Sequence, residues 1–325
     1  MEQLKGVALV GDVGGTNARL ALVNLADGSL SNTKVYSSVD NDSLEKVIVK
    51  YREETGAVFD SACIAIATML NGDHVKMTNN PWEFSISEMK KNLNLEKLIF
   101  INDFTAMSMS VTAIKTEDMI QIGGDEIVEK APKAIYGAGT GLGVGYLIYA
   151  EGKWIPLPTE GGHVDIAVQS DRDDSILKVL RKKFDHVSGE RLLSGQGLVN
   201  TYQAIAELNG HEVRDVVPAD VTGGAFSEDP DPDCKETVDL FCKLMGSFGG
   251  NLALNILAKG GVYIAGGIVP RFIDYFKKSE FRSEFESKGR FNHALNKIPV
   301  YVISQGDAGL LGAGAYVRQE LGAKL

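Results

Sequence analysis

The sequence of 325 residues contains few cysteines and no long apolar run. Its cysteines, Cys63, Cys234 and Cys242, are odd in number and form no CxxC pair, which argues against a disulfide framework or a cysteine-based zinc site. No window offers the roughly 18 apolar residues of a membrane span, and the N-terminus does not resemble a secretion signal. We therefore expect reduced thiols, a cytoplasmic location and no membrane partner.

The sequence also lacks a basic patch. Lys and Arg total 33 against 43 Asp and Glu, which gives a net charge of −10. An acidic chain of this kind is not expected to bind nucleic acid. If the ligand is an anion, backbone N–H groups or a metal ion must hold it against the overall field.

Apolar periodicity predicts an α/β protein. Residues 42–54 carry apolar side chains at the i, i+3, i+4, i+7 spacing of an amphipathic helix. Ser85 and Glu88 have the spacing of a capping box, which marks the start of another helix. Further helices are expected at 175–184, 197–208, 235–257 and 309–321, and strands at 5–11, 19–24, 61–67, 97–103 and 298–304.

Three glycine-rich loops each follow an apolar strand. They are "GDVGGT" at 11–16, "GAGTGLG" at 137–143 and "AGG" at 265–267. The first two join strand to strand, and neither has the spacing of the dinucleotide fingerprint or of the Lys-bearing phosphate loop. When Gly11 is matched with Gly137, the two hairpins align, which indicates a repeated supersecondary unit.

Glycine in such a loop lets successive N–H groups converge on phosphate oxygens. Asp12 adds a carboxylate that can reach a magnesium ion accompanying the phosphates, directly or through water. The alternative for any single loop is an ordinary turn. Two hairpin loops and a third junction in one acidic chain favour phosphate binding.

The ordered motifs "GDVGGTNARLAL", "IND", "GAGTGLG", "EGGH", "GER" and "AGGIVPR" resemble the bacterial ATP-dependent glucokinases of the hexokinase/actin-like superfamily. The resemblance extends from Val7 to Leu321. It implies a two-domain α/β ATPase fold of the actin-like, ribonuclease H-like type, with mixed sheets and a cleft where ATP and sugar meet. The related ROK-type kinases carry a cysteine-rich zinc site, which this sequence lacks, so the non-ROK branch fits better.

The length is about twice that of a typical domain, which also favours two domains. We predict a smaller α/β domain from residues 1–113 plus 304–325 and a larger one from residues 114–303. The crossover between them is expected near 111–117, with the chain returning near Ser304.

The resemblance implies which residues bind the nucleotide. ATP and Mg²⁺ are the expected ligands, with Asp12 as the metal-facing carboxylate. The expected nucleotide-binding residues are Gly11, Asp12, Val13, Gly14, Gly15, Thr16, Gly139, Thr140, Gly141, Gly266 and Gly267.

A neutral sugar offers hydroxyl donors, so its site should be rich in acceptors. The sequence supplies Asn102 and Asp103 at a strand end, Glu160 and His163 in one loop, and Glu190 before an apolar run. The alternatives are a helix N-cap for Asp103, solvated surface for the glutamates and a structural role for the histidine. The resemblance implies that all five bind the sugar and that Asp103 takes the proton of the accepting hydroxyl.

The expected reaction is transfer of the γ-phosphoryl group of ATP to the 6-hydroxyl of D-glucose, giving glucose 6-phosphate and ADP at the entry to glycolysis. One alternative is a kinase for mannose, fructose or an amino sugar. Others are a nucleotide-gated binding protein and a sugar-responsive repressor, although a repressor would need a DNA-binding domain before Val7. Related enzymes are commonly dimers, so the resemblance also implies a homodimer.

Overall fold

The computed structural model describes residues 4–68, 70–78 and 80–325. Strands and helices are interspersed along the chain, which confirms the predicted mixed α/β class. The strands are β1 (Val7–Val13), β2 (Asn17–Asn24), β3 (Leu30–Ser37), β4 (Ser61–Ile66), β5 (His74–Lys76), β6 (Glu83–Ser85), β7 (Lys97–Asn102), β8 (Met119–Gln121), β9 (Lys133–Ala138), β10 (Leu142–Ala150), β11 (Lys153–Thr159), β12 (Val262–Ala265) and β13 (Val300–Ile303). The helices are α1 (Leu44–Thr55), α2 (Ile86–Asn92), α3 (Asp103–Ser110), α4 (Asp171–Lys183), α5 (Gly195–Asn209), α6 (Pro218–Ala225), α7 (Pro232–Ile256), α8 (Ile273–Phe276), α9 (Phe281–Glu286), α10 (Asn292–Leu295) and α11 (Ala308–Glu320).

The chain forms two compact units. The first unit comprises Met1–Asp118, Leu147–Pro158 and Gln305–Leu325. The second comprises Met119–Tyr146 and Thr159–Ser304. The domain limits expected from the sequence stay a prediction.

The sheet of the first unit has the strand order β3-β2-β1-β4-β7. Its β1–β2 and β2–β3 pairs are antiparallel, whereas β1–β4 and β4–β7 are parallel. Successive side chains of a strand point to opposite faces. Leu9 accordingly packs in the same core as α1, while Ala8 and Val10 pack in another core with α3 and α11. Both faces of this sheet are therefore buried.

The second sheet has the order β11-β10-β9-β12-β13-β8. Its first five strands repeat the sequence-order pattern of the first sheet, and the β9–β12 and β12–β13 pairs are parallel like their counterparts. This arrangement bears out the repeated unit inferred from the two glycine hairpins. Helices α5 and α7 contribute to the core of the second unit, with Tyr202, Phe241 and Phe248 among its large buried side chains.

Local signals place several helices as predicted. The side chain of Ser43 caps α1 by accepting the N–H of Lys46, and Ser85 caps α2 by accepting the N–H of Glu88. In α7, a Cβ at Gly246 would lie 2.1 Å from the carbonyl oxygen of Phe281, so glycine permits this close helix contact.

Other elements differ from the expectation. After β12 the chain first forms a 3-10 turn at Val269–Phe272, with Pro270 in it, and only then the short helix α8. Helix α6 and the β5–β6 hairpin were not predicted from the sequence. Within the part of the chain that the structure describes, every helix is either too short or too polar to span a lipid bilayer.

Candidate active site

The first glycine loop connects β1 and β2. The N–H of Gly14 donates to the carbonyl of Asn17 at 2.9 Å, and the side-chain amide of Asn80 donates to the carbonyl of Gly14 at 3.2 Å. Among the residues that the structure describes, a Cβ built on Gly14 would meet only the Asn17 carbonyl, at 3.9 Å. The loop is thus held from one side and has room for a ligand at Gly14.

Asp12 lies at the end of β1, opposite Arg19 on β2. Burial raises the pKa of the Asp12 carboxyl, and the Arg19 guanidinium partly offsets this rise in pKa. Arg19 also donates to the carbonyl of Gly306 at 2.5 Å. A Cβ on Gly309, in the first turn of α11, would lie 2.8 Å from Asp12 Oδ2. The absence of a side chain there leaves space for the carboxylate.

Asn102 and Asp103 stand where β7 ends and α3 begins. Asn102 is the N-cap, and its Oδ1 accepts the N–H of Phe104 at 2.9 Å. Asp103 is therefore the first helical residue rather than the cap that the sequence left open, although its own Oδ1 also accepts the Phe104 N–H at 2.9 Å. Both side chains are partly buried.

The surroundings of Asp103 make it more basic than an ordinary aspartate. Burial is the main cause of its raised pKa, and the negative charge of Asp12 raises the pKa further. The hydrogen bond from the Phe104 N–H acts in the opposite direction but does not cancel the rise in pKa. The first unit therefore brings two carboxylates into electrostatic contact at the ends of β1 and β7.

Helix α3 is fixed by a close backbone contact with α11. A Cβ on Gly312 would lie 1.7 Å from the carbonyl oxygen of Ala106 and 3.0 Å from the N of Ser110. Only glycine allows the two helices to approach this closely. The contact sets the position of the helix on which Asp103 is the first residue.

The second glycine loop connects β9 and β10. The N–H of Gly139 donates to the carbonyl of Gly141 at 2.8 Å, and the N–H of Gly195 donates to the carbonyl of Gly139 at 2.8 Å. No atom of the described part of the chain lies within 4 Å of a Cβ built on Gly139, and Thr140 is exposed. This loop is tied to the start of α5 and is open above Gly139.

The glycine pair after β12 lies at the same sheet edge. Gly137 on β9 pairs with Ala265 on β12, and Gly266 follows with φ +86°, which favours glycine. A Cβ on Gly266 would also lie 2.3 Å from the carbonyl oxygen of Ala138. Gly267 is exposed, and an added Cβ there would have no atom of a described residue within 4 Å. The second unit thus places two of the three predicted loops side by side.

Glu160, His163 and Glu190 form a cluster in the second unit. The His163 ring lies 4.0 Å from Glu160 through Nε2 and 4.0 Å from Glu190 through Nδ1, beyond hydrogen-bond distance. The side chains of Glu160 and His163 are 67% and 57% exposed, whereas that of Glu190 is 32% exposed. The cluster therefore exposes hydrogen-bond acceptors to solvent, and the Glu190 carboxylate is the most buried of its side chains.

Glu190 joins this cluster to the second glycine loop. Its Oε2 accepts the N–H of Leu142 at 2.9 Å, and a Cβ on Gly141 would lie 2.5 Å from the same oxygen. The candidate phosphate loop and the candidate sugar cluster of the second unit are therefore in direct contact.

Three residues that support these loops were not among those predicted from the sequence. Arg19 was within the quoted motif, and the hairpin register could have placed it opposite Asp12. Asn80 and His186, which contact Gly14 and His163, gave no local signal because both contacts are distant in sequence.

Comparison with known proteins identifies the family. The family described as Glucokinase matches residues 9–320. The glucokinase of Tolumonas auensis is 56% identical over 317 residues, which cover 98% of each chain.

Solved structures agree with this match. The crystal structure of a glucokinase from an Antarctic psychrotroph superimposes with a TM-score of 0.91 at 32% identity, covering 96% of this chain and 99% of that one. A glucokinase from Balamuthia mandrillaris in complex with glucose gives a TM-score of 0.75 at 21% identity, covering 96% and 93%, and shares the fold. The fold is that of the actin-like ATPases, as the sequence predicted. The chain belongs to the glucokinase family.

Proposed function

We propose that this protein transfers the γ-phosphoryl group of ATP to the 6-hydroxyl of D-glucose. The environment of Asp103 is the observation that carries the proposal. Its carboxylate lies at a strand end, and burial and Asp12 raise its pKa above the ordinary value. A base is most effective when its pKa approaches the working pH, so these surroundings suit a group that accepts a hydroxyl proton.

In this proposal Asp103 accepts the proton of the 6-hydroxyl as that oxygen attacks the γ-phosphorus. The bond from the γ-phosphorus to the bridging oxygen breaks, and ADP leaves. Kinases gain most of their rate from positioning and charge stabilisation, with a carboxylate orienting the hydroxyl. The bond from Phe104 N–H to Asp103 Oδ1 holds the carboxylate and leaves Oδ2 for the hydroxyl.

Hydroxyl recognition is assigned to the remaining acceptors. Asn102 supplies an amide beside Asp103, and Glu160, His163 and Glu190 supply the acceptors of the second unit. Because Glu190 is fixed by the Leu142 N–H through Oε2, its Oε1 has a defined direction for a sugar hydroxyl. Preorganised acceptors of this kind lose little conformational entropy on binding.

Nucleotide binding is assigned to the three glycine loops. Among the described residues, added Cβ atoms at Gly139 and Gly267 would meet no atom within 4 Å, which leaves room for phosphate oxygens at Gly139 and for the adenosine at Gly267. Gly11, Asp12 and Val13 end strand β1, and Gly14, Gly15 and Thr16 form the first loop. The N–H groups of the first and second loops would hold the phosphates.

The residues present fit a magnesium ion that arrives with ATP. Mg²⁺ usually keeps several waters and takes one or two carboxylates together with substrate phosphates. Asp12 offers one partly buried carboxylate, and the described residues hold no group of three His, Cys, Asp or Glu side chains that would form a separate protein cage. When bound, the ion would neutralise charge on the transferring phosphoryl group. A cytoplasmic location and a homodimer stay predictions.

A coupled assay of ADP release tests the proposal. The purified protein is given ATP and Mg²⁺ with glucose, mannose, fructose, glucosamine or 6-deoxyglucose. We expect the highest kcat/KM with glucose, and competitive inhibition without turnover by 6-deoxyglucose. ADP release that does not depend on sugar, or a higher kcat/KM with another hexose, would overturn the assignment.

A further inference from the structure

Two chain segments carry the sugar-facing cluster of the second unit. The His163 loop (160–165) carries Glu160 and His163, and the Glu190 segment (186–190) carries Glu190. Their backbones meet through one hydrogen bond, from the N–H of Gly189 to the carbonyl of Val164 at 2.9 Å, next to an isolated antiparallel bridge between Asp165 and Ser188. Such a short backbone pairing is a weak connection between two segments whose side chains must hold hydrogen-bond acceptors in place.

The start of the His163 loop is held by Thr159. Its hydroxyl donates to the carbonyl of Val144 at 3.0 Å and accepts the N–H of Gly161 at 3.1 Å. Gly162 lies against β10, since a Cβ there would be 1.9 Å from the carbonyl oxygen of Leu142. The side chain of Glu160 does not cap the 3-10 turn that follows it, so it adds no restraint of its own there.

The end of the loop is held by His186. Its Nε2 lies 2.9 Å from the carbonyl oxygen of His163, and because a carbonyl only accepts, the imidazole must donate. Its Nδ1 lies 3.5 Å from a carboxylate oxygen of Asp165. One ring therefore spans two residues of the His163 loop from the Glu190 segment.

This ring also lines the space beside the sugar-facing residues. His163, His186, Ser188, Glu190 and Arg191 are among the side chains around a cavity of about 380 Å³. His163 makes no hydrogen bond to Glu160 or Glu190 at 4.0 Å, so its direction depends on where its backbone is held. The His186 contact is made to that backbone, at the carbonyl of His163 itself.

We propose that His186 is a positioning residue that holds the His163 loop against the Glu190 segment and thereby sets the affinity for glucose. The inference rests on the proposed function for its link to the sugar. His186 does not touch the substrate in this scheme. It acts through the backbone of His163, and a small displacement of a positioned group is enough to weaken recognition.

Three substitutions at this position separate the contact from general packing. His186→Ala removes the donor, and His186→Gln keeps an amide near the Nε2 position. His186→Asn places its amide near Nδ1, too short to reach the His163 carbonyl. We expect the KM for glucose to rise roughly 3- to 10-fold in the Ala and Asn variants, the range for one lost hydrogen bond, with recovery in the Gln variant. The KM for ATP should stay unchanged.

His293 provides a matched control, because its imidazole also contacts a backbone carbonyl, that of Arg290 at 2.7 Å, and it is exposed. His293→Ala should leave the KM for glucose unchanged. The proposal is overturned if the folded His186→Ala variant keeps the wild-type KM for glucose, or if His186→Gln is as impaired as His186→Ala.

Hydrogen exchange of the sugar-free protein tests, independently of activity, whether His186 holds the His163 loop against the Glu190 segment. We call this contact the His186 clamp. The amide of Gly189, which is bonded to Val164, should exchange faster in His186→Ala than in wild type or in His186→Gln. Unchanged exchange would overturn the clamp even if glucose is the substrate. Faster exchange in a protein whose wild type does not bind glucose would instead mean that the proposed function fails while the clamp stands.

Discussion

The carboxylate of Glu190 accepts the backbone N–H of Leu142 at 2.9 Å, at the first residue of β10. Glu190 therefore has a structural bond through one oxygen and, in the proposed function, a sugar bond through the other. These two roles can be separated by substituting glutamine. Its amide oxygen can accept the Leu142 N–H, but it lacks the negative charge that the carboxylate offers to the sugar.

Glu190→Gln is expected to fold with near wild-type stability, since its amide oxygen can accept the Leu142 N–H. Its KM for glucose should rise roughly 10- to 100-fold, because a hydrogen bond to a charged group is lost. Glu190→Ala should in addition lose about 1–3 kcal/mol of unfolding free energy, since the Leu142 N–H loses this acceptor. Urea unfolding and glucose kinetics measure the two effects. A Gln variant with a wild-type KM for glucose would exclude the sugar role.

Asp103→Asn should bind glucose but lose turnover. The amide keeps hydrogen bonding and cannot take the proton, and removal of a general base costs about 10²- to 10⁴-fold in rate. Initial rates with saturating ATP and glucose, together with direct glucose titration, give the comparison. Asp40, which is exposed in the same unit, is the matched control, and Asp40→Asn should be fully active. Turnover near wild type in Asp103→Asn would remove Asp103 from the base role.

The titration of Asp103 should determine how kcat/KM decreases at low pH. Burial, and then Asp12, raises the pKa of this carboxyl above its ordinary 3.8. The base works only when deprotonated, so activity should fall as the pH drops through the raised pKa, at a pH above 3.8. In Asp12→Asn, measured at saturating ATP, the acid limb should move to lower pH because a like charge has been removed. An unmoved limb in an active variant would contradict the coupling.

The raised pKa of Asp103 should also affect the stability of the fold. Its contribution to stability should decrease with rising pH, whereas activity should increase. A carboxyl whose pKa is higher in the folded than in the unfolded state favours folding most at a pH where it is protonated in both states. This contribution is lost as the pH rises through the pKa of the folded state. At neutral pH the Asp103 carboxylate is therefore a cost to the fold. Asp103→Asn should have a higher Tm than wild type at pH 7, with Asp40→Asn unchanged. Calorimetry at pH 7 decides the point, and a lower Tm for Asp103→Asn would refute it.

Gly139→Val tests whether the second glycine loop binds phosphate or is only a turn. No atom of the described residues lies within 4 Å of an added Cβ, so the branched side chain fits there but would occupy space assigned to ATP. We expect the affinity for ATP to fall on the order of tenfold or more, as for the loss of charge-assisted hydrogen bonds, with glucose affinity retained. Gly223→Val on α6, where the added Cβ also meets no atom within 4 Å, is the control. Equal ATP affinity in both variants would show that the second glycine loop is only a turn and does not bind phosphate.

Local patterns in the sequence predicted the elements that local physics determines. The apolar spacing of α1 gave its buried face, and Leu44, Val47, Ile48 and Tyr51 are all buried. The offset between the two glycine hairpins anticipated the repeated strand order of the two sheets. Asp103 was correctly placed at a strand end, but its neighbour Asn102 makes the cap, a choice between adjacent residues that composition alone does not decide.

The supporting contacts lay beyond sequence reasoning because they join residues far apart in the chain. Asn80 reaches the carbonyl of Gly14 from a segment after β5, and Gly312 approaches the backbone of Ala106 from the C-terminal helix. Neither contact leaves a periodic or motif signal in the residues themselves. Helix α6 was missed for a different reason: its sequence contains two adjacent glycines of low helix propensity, and its packing against the next helix, α7, stabilises it.

The packing of α11 in the first unit has a consequence for biosynthesis. Leu310, Ala313 and Val317 of α11 bury the same sheet face as Ala8 and Val10 of β1. A ribosome releases β1 before α11, and the second unit is made between them. During that interval one apolar face of the nascent sheet has no α11 to cover it, and such surfaces are what chaperones bind and what promotes aggregation. The sheet of the first unit is thus synthesised before the second unit but covered by α11 only after it.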